Sequence, residues 1–161
     1  MKTILLGSVV LIAGFGMASA QLPTQKVLTA KLAMEAVTAT VEACEKAGYK
    51  VSASVVDVAG QVKAFLRGDG SGFHTIETAT RKALTSVTFK GSSAAIAQRF
   101  NDNPASGGLR QVTGVMPVGG ALPIMVGNDI IGAIGVSGAP GGDKDEACSQ
   151  AGIDKIKDSL K

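Results

Sequence analysis

Two pairs of short apolar runs, each joined by a tight turn, constrain the fold of this chain more than any other feature. The first pair lies within residues 51–67 and turns at residues 57–60, Asp-Val-Ala-Gly. The second pair lies within residues 122–136 and turns at residues 127–129, Gly-Asn-Asp. Apolar runs on both sides of a short turn rich in Gly, Asn or Asp are typical of β-hairpins. The sequence therefore predicts two hairpins of antiparallel strands.

Apolar residues at helical spacing predict helices around these hairpins. They recur every three or four positions through residues 24–47, and Gly48 follows where a helix would end. His74 or Thr75 is a candidate cap for the next helix, and Asp143 begins the last one with acidic residues where the helix dipole favours them. In chain order the predicted elements are helix 24–47, strands 51–57 and 61–67, helices 77–89 and 92–100, strands 115–118, 122–126 and 130–136, and a helix from residue 143.

The order of these elements, α-β-β-α-α-β-β-β-α, lacks the βαβ alternation of parallel sheets. It predicts an α+β domain, an antiparallel sheet of about five strands with helices packed on it. No internal repeat or low-complexity linker divides the chain. We therefore expect a single domain over residues 21–161.

The first twenty residues have the features of a signal peptide. Lys2 supplies a positive charge, residues 4–15 are largely apolar, and residues 18–20 (Ala-Ser-Ala) form an A-x-A cleavage site. The alternative is an uncleaved membrane anchor, but a helix needs about 20 apolar residues to span a bilayer. We expect residues 1–20 to be removed, which leaves a periplasmic or secreted protein that does not insert into the membrane after cleavage.

The composition that remains argues against a polyanionic partner. Cleavage leaves 141 of the 161 residues and removes Lys2, which lowers the formal net charge from +3 to +2. One Tyr and four Phe remain in that part of the chain. So small a charge does not attract a polyanion, and so few aromatic side chains do not build a base-stacking surface. We therefore expect no nucleic acid partner.

The two cysteines of the chain, Cys44 and Cys148, lie in the first and last predicted helices. If these helices pack side by side on the sheet, their Cβ atoms come close together. An oxidising compartment would then join the two thiols in a disulfide. The alternative is a pair of buried thiols that never meet.

The hairpin segments also carry a family resemblance. Residues 54–60 (Ser-Val-Val-Asp-Val-Ala-Gly) are followed by Arg-Gly-Asp-Gly at residues 67–70. Residues 119–124 (Gly-Gly-Ala-Leu-Pro-Ile) are followed by a glycine-rich run at residues 131–139. In this order and spacing, with His74 between them, the segments resemble the GlcG/HbpS family, also called the haem-degrading family.

The resemblance covers roughly residues 24–156, and the run at residues 81–83 (Arg-Lys-Ala) is similar to the family's central helix. It implies a small haem- or cofactor-binding domain that forms symmetric homo-oligomers. It also implies a ligand pocket near the glycine-rich loop at residues 68–72 and near Gly119 and Gly120. The expected cofactor is therefore haem.

His74 is the residue of this region best suited to bind iron. It follows the glycine-rich loop and precedes a helix, where a side chain can face a groove, and neutral imidazole is a common haem ligand. Arg67 and Lys82 are predicted to flank the same loop and to pair with haem propionates. The alternatives are that His74 caps the helix or is merely exposed, and that the two cations form ordinary surface ion pairs.

Glu42 and Glu45 form a second candidate site. They lie three residues apart on one face of the first predicted helix, and carboxylate oxygens are suitable ligands for an iron ion. The pair resembles the acidic pairs proposed for surface iron in one branch of the family. The alternative is an ordinary solvated helix face.

The sequence favours a binding protein over an enzyme. A single His excludes zinc sites with several His ligands and makes any Ser-His-Asp arrangement depend on that one residue. Together with these exclusions, the family resemblance implies an exported haem- or tetrapyrrole-binding protein that senses, scavenges or slowly degrades haem. The alternatives are an accessory protein or enzyme for a small organic acid of the glycolate type, and a structural or signalling partner.

Overall fold

The fold is a four-stranded antiparallel sheet with helices on both faces. The computed structural model describes residue 22 and residues 24–160. The strands lie in the order β2-β1-β4-β3, and every neighbouring pair is antiparallel. The helices are α1 (Ala30–Lys46), α2 (Thr75–Phe89), α3 (Ser93–Asp102) and α4 (Gly142–Ile156), and the strands are β1 (Ser52–Asp57), β2 (Val62–Arg67), β3 (Ala121–Val126) and β4 (Asp129–Ser137).

Local side-chain chemistry accounts for both hairpins. In the first turn, the Asp57 carboxylate accepts hydrogen bonds from the backbone N–H groups of Ala59 (2.9 Å) and Gln61 (3.0 Å). Such an aspartate turn supplies the hydrogen bonds that a backbone turn would otherwise make. In the second turn Gly127 has φ 61°, a left-handed conformation that glycine adopts without steric cost. Each hairpin is therefore determined by its own turn.

The alternation of side chains along β1 divides the core into two layers. Val55 faces α1 and α4, where it joins the main apolar cluster of the domain. The next residue, Val56, faces α2 and packs in a smaller cluster with Ala83. The predicted α+β class is thus confirmed, and α2 covers the second face of β1 and β4.

A disulfide joins the two helices of the first layer. Cys44 of α1 and Cys148 of α4 are bonded with their Cα atoms 5.5 Å apart. Both residues belong to the main core cluster. The bond therefore ties the first helix to the last one, at a sequence separation of 104 residues.

The fifth strand expected at residues 115–118 is not formed, so the sheet has four strands. Its backbone groups bond to α2 instead, because Met116 N–H donates to Thr85 Oγ1 (2.7 Å) and the Arg81 guanidinium donates to the Val115 carbonyl (3.1 Å). The first helix begins at Ala30 and not at residue 24, because the Thr29 side chain accepts from Leu32 N–H and caps it there. A 3-10 helix, Pro104–Gln111, follows α3 directly.

The signal peptide predicted for residues 1–20 lies outside the described residues. Within the described part, no helix is long and apolar enough to cross a membrane.

Gly135 of β4 lets α2 approach the sheet closely. A Cβ atom at this position would lie against the Ala79 carbonyl and 2.7 Å from the Ala83 nitrogen, both backbone atoms of α2. We expect Gly135→Ala to lower the free energy of unfolding by about 1–3 kcal/mol, as overpacking of a core does. Urea unfolding would measure this loss, with Gly107→Ala as the matched control, since nothing lies within 4 Å of that added Cβ. Equal stability of the two variants would contradict the prediction.

Candidate functional site

The loop between β2 and α2 is held in place by a chain of hydroxyl groups. Thr75 Oγ1 donates to the Gly72 carbonyl (2.6 Å) and lies 2.7 Å from Ser52 Oγ. Ser52 Oγ in turn lies 3.3 Å from Ser71 Oγ, and both serines are buried. Arg67 donates from Nη2 to the Ser71 carbonyl (2.7 Å) on the outer side. The loop is therefore anchored to β1 and β2, and what it presents to solvent has a defined position.

This loop presents His74 and Phe73 to solvent. Phe73 is 85% exposed, an unusual state for a large aromatic side chain. The two rings lie edge to face, with centroids 6.0 Å apart. The His74 imidazole lies over Gly72 and makes no capping hydrogen bond to α2, although the residue occupies the N-cap position. The imidazole nitrogens are therefore free of the helix and accessible to a ligand.

The face of α2 that follows His74 in the chain borders a groove. His74, Glu77 and Arg81 follow one another at spacings of three and four residues, so they share one face of α2. Arg81 donates from Nη1 to Glu77 (3.0 Å), and a groove of about 510 Å³ opens beside them. This groove was not predicted from the sequence. It is lined by Glu77, Arg81, Arg110, Gln111, Val112, Thr113 and Gly114.

Arg67 lies in a second, smaller groove together with the candidate iron ligands. The groove has a volume of about 250 Å³, and Glu42, Glu45 and Asp69 also line it. The structure thus brings Arg67 close to the acidic pair as well as to the glycine-rich loop. The part of the chain described here holds no cluster of three or more His, Cys, Asp or Glu side chains arranged for a metal ion.

Lys82 was predicted to lie free beside the glycine-rich loop, but the structure places it elsewhere. Its side chain is buried, and its ammonium group donates to Asp145 Oδ2 (2.7 Å) and to the Val136 carbonyl (3.0 Å). Asp145 accepts a further hydrogen bond from Ala139 N–H (3.0 Å). A buried ammonium with this set of partners is not available to a propionate, so we assign Lys82 a structural role.

Of the two predicted glycines, Gly120 lies beside this buried ion pair. A Cβ at Gly120 would be 2.7 Å from the Lys82 ammonium, and Gly120 has φ 130°. Gly119 packs against Gly142 at the start of α4. The structure therefore places Lys82 and Gly120 in a packed interior, with Gly119 half-buried beside α4, and it places His74 and Arg67 on the surface.

Asp145 is the buried partner that sequence reasoning missed. Burial raises the pKa of its carboxyl above the ordinary value for aspartate, and the hydrogen bond and charge of Lys82 oppose that rise. In the sequence, Asp145 is one of several acids in the first turn of a helix, which the helix dipole alone explains. No local signal distinguishes it, because its partner lies 63 residues away.

Together, the fold and the exposed loop define a small α+β domain, with helices on both faces of its sheet and an accessible imidazole just before α2. Residues 28–154 match the family described as haem degrading protein HbpS-like. The chain belongs to this HbpS-like family, which confirms the resemblance found in the sequence.

Solved structures agree with this assignment. A Streptomyces reticuli HbpS double mutant, in which two glutamates are replaced by aspartates, is 34% identical, with a TM-score of 0.78 over 92% of this chain and 97% of that one. Another HbpS structure is 36% identical, with a TM-score of 0.78 over 89% and 97%. A PduOC:heme complex at 22% identity shows the same fold, with a TM-score of 0.73 over 81% and 96%. No curated protein sequence matches the chain.

Proposed function

We propose that this protein is exported and binds haem or a related tetrapyrrole, with His74 as the ligand to the iron. The observation that carries the proposal is the pairing of an exposed imidazole with an exposed aromatic ring on an anchored loop. Membership of a family described as haem-degrading supports it, as does the haem bound in the structurally similar PduOC complex.

The side chains at this loop fit the chemistry of haem. His74 supplies an imidazole nitrogen, a common protein ligand of haem iron. The Phe73 ring is apolar and exposed. A porphyrin in contact with it would bury this surface, which is favourable. When bound, haem supplies a redox-active iron centre. The chain's own part is to hold the imidazole in place through the hydroxyl chain behind the loop.

The compartment and assembly form part of the same proposal. A disulfide is typical of proteins in oxidising compartments, so the Cys44–Cys148 bond supports export to the periplasm or the medium. We propose a homo-oligomer as well. Among the described residues, no strand pairs with the outer edge of β2, and Val58 and Val62 are exposed on this hairpin, where a second copy would cover them. In this setting, haem sensing, scavenging or slow breakdown are the roles open to a binding protein.

The iron site at Glu42 and Glu45 remains a separate proposal. The two carboxylates line one groove with Asp69, one helical turn apart on α1. The similar Streptomyces reticuli HbpS was crystallised with two glutamates, also three positions apart, changed to aspartate. Oxygen ligands of this kind suit an iron ion at the surface.

Removing the imidazole tests the haem proposal. We expect wild type to bind haemin with a Soret band that changes in His74→Ala, because the axial ligand determines the coordination and spin state of the iron. The affinity should fall about tenfold or more. Absorption titration with haemin measures both quantities, and Phe73→Leu, which keeps the imidazole, is the control for spectral position. Identical spectra and affinities for wild type and His74→Ala would remove His74 from the site, and no binding by wild type would overturn the function.

A further inference from the structure

The groove below His74 carries an excess of positive charge. Its lining includes two guanidinium groups, those of Arg81 and Arg110, and one carboxylate, that of Glu77. At about 510 Å³ it has the size of a small-molecule site. Planar guanidinium groups in such a place are suited to carboxylates, which they bind through two parallel hydrogen bonds.

Both arginines are held in position by the fold. The Arg110 guanidinium donates to Asn101 (2.7 Å) and stacks over the Phe100 ring at 5.7 Å. Arg81 donates to Glu77 and to the Val115 carbonyl, while its buried Nε has no hydrogen-bond partner among the described residues. The two cations therefore lose little side-chain entropy when they bind an anion.

We propose that this groove binds carboxylate groups and that, given the function proposed above, these are the propionates of the tetrapyrrole held by His74. Arg81 lies seven positions after His74, a rise of about 10 Å along an α-helix. In this proposal Arg81 and Arg110 pair with the propionates, the role predicted from the sequence for Arg67 and Lys82.

Glu77 acts as the internal competitor for this groove. Its carboxylate occupies one side of the Arg81 guanidinium and is itself largely exposed, so it can leave without a desolvation cost. An incoming propionate replaces it. Removing the charge of Glu77 therefore makes the groove more positive and frees Arg81, which strengthens binding of a carboxylate ligand.

Porphyrins with and without iron separate this groove from the iron site. Arg81→Gln and Arg110→Gln are each expected to weaken both haemin and metal-free protoporphyrin IX about tenfold, with no shift of the Soret band of bound haemin. Glu77→Gln should strengthen both. Arg99→Gln is the matched control, because Arg99 also lies over Phe100 but does not line the groove. Protoporphyrin IX dimethyl ester, which lacks the carboxylates, should bind wild type and the arginine variants equally. Urea unfolding of each variant confirms that it is folded.

The outcomes divide the two proposals. Wild-type affinities in Arg81→Gln and Arg110→Gln, with haemin bound through His74, would overturn the groove and leave the haem function intact. If wild type binds neither porphyrin, the propionate assignment fails together with the haem function, and calorimetry with succinate decides the groove itself. Succinate binding that is lost in Arg110→Gln but not in Arg99→Gln would then support a groove for a free dicarboxylate, and no succinate binding would overturn it.

Discussion

Replacing Lys82 by methionine is expected to lower the free energy of unfolding by about 3–5 kcal/mol, because the change leaves a buried carboxylate without its partner. Lys82 is only 5% exposed and Asp145 only 3%, so water does not compensate for the lost ammonium. The pair also joins α2 to α4 and to the Val136 carbonyl of β4. Urea unfolding at neutral pH measures the loss.

The double variant Lys82→Met, Asp145→Asn separates the ion pair from simple packing. Asparagine still accepts the hydrogen bond from Ala139 N–H, and neither residue then carries a charge. We expect the double variant to be more stable than either single variant, because it leaves no unpaired buried charge. Additive losses from the two substitutions would contradict this account.

The pH dependence of Lys82→Met gives a second check. Burial already raises the pKa of Asp145, and removing Lys82 removes the main group that opposes this rise. A carboxyl whose pKa is higher in the folded than in the unfolded protein binds more protons when folded, so its contribution to stability falls as the pH rises between the two values. The difference in the free energy of unfolding between wild type and Lys82→Met should therefore become smaller as the pH is lowered from 7 towards the ordinary aspartate pKa of about 4.

Removal of the disulfide is expected to cost about 2–5 kcal/mol, with the upper part of this range favoured by the long loop that it closes. The measured variant is Cys44→Ala, Cys148→Ala, compared with oxidised wild type by urea unfolding. Both side chains are nearly fully buried, so Cys44→Ala alone, with the remaining thiol kept reduced, is the control for lost packing. Wild-type protein denatured without reductant should contain no titratable thiol. Two free thiols, or a double variant as stable as wild type, would contradict the prediction.

Much of the fold could be predicted because it depends on short stretches of sequence. The second hairpin, expected at residues 122–126 and 130–136, is observed at Ala121–Val126 and Asp129–Ser137. The turn residues and the apolar runs beside them determine this geometry locally. The strand predicted at residues 115–118 was wrong, because so short an apolar run has no periodicity that distinguishes a strand from a loop. In addition, Pro117 lacks the N–H group that a strand would donate to its neighbour.

The candidate site was only partly predictable. His74 could be found because it is the one histidine of the chain and follows a glycine-rich loop. Nothing in the sequence marked Phe73 as exposed or Arg110 as part of a groove, since both facts depend on which segments pack beside α2. Arg81 and Lys82 are neighbours in sequence, yet one lines a surface groove and the other is buried.

By itself, then, the sequence determined the four helices, the two hairpins and the α+β class, and it marked His74 as a candidate ligand. Helix and strand propensity, turn chemistry and hydrophobic periodicity all act over a few residues, so they can be read locally. Only the tertiary structure decided that Lys82 pairs with Asp145 and that Arg81 meets Arg110 across a groove. Successive residues of a helix point about 100° apart, so a single position decides between solvent and core. Which of the two a side chain meets depends on segments tens of residues away, and no local pattern records them.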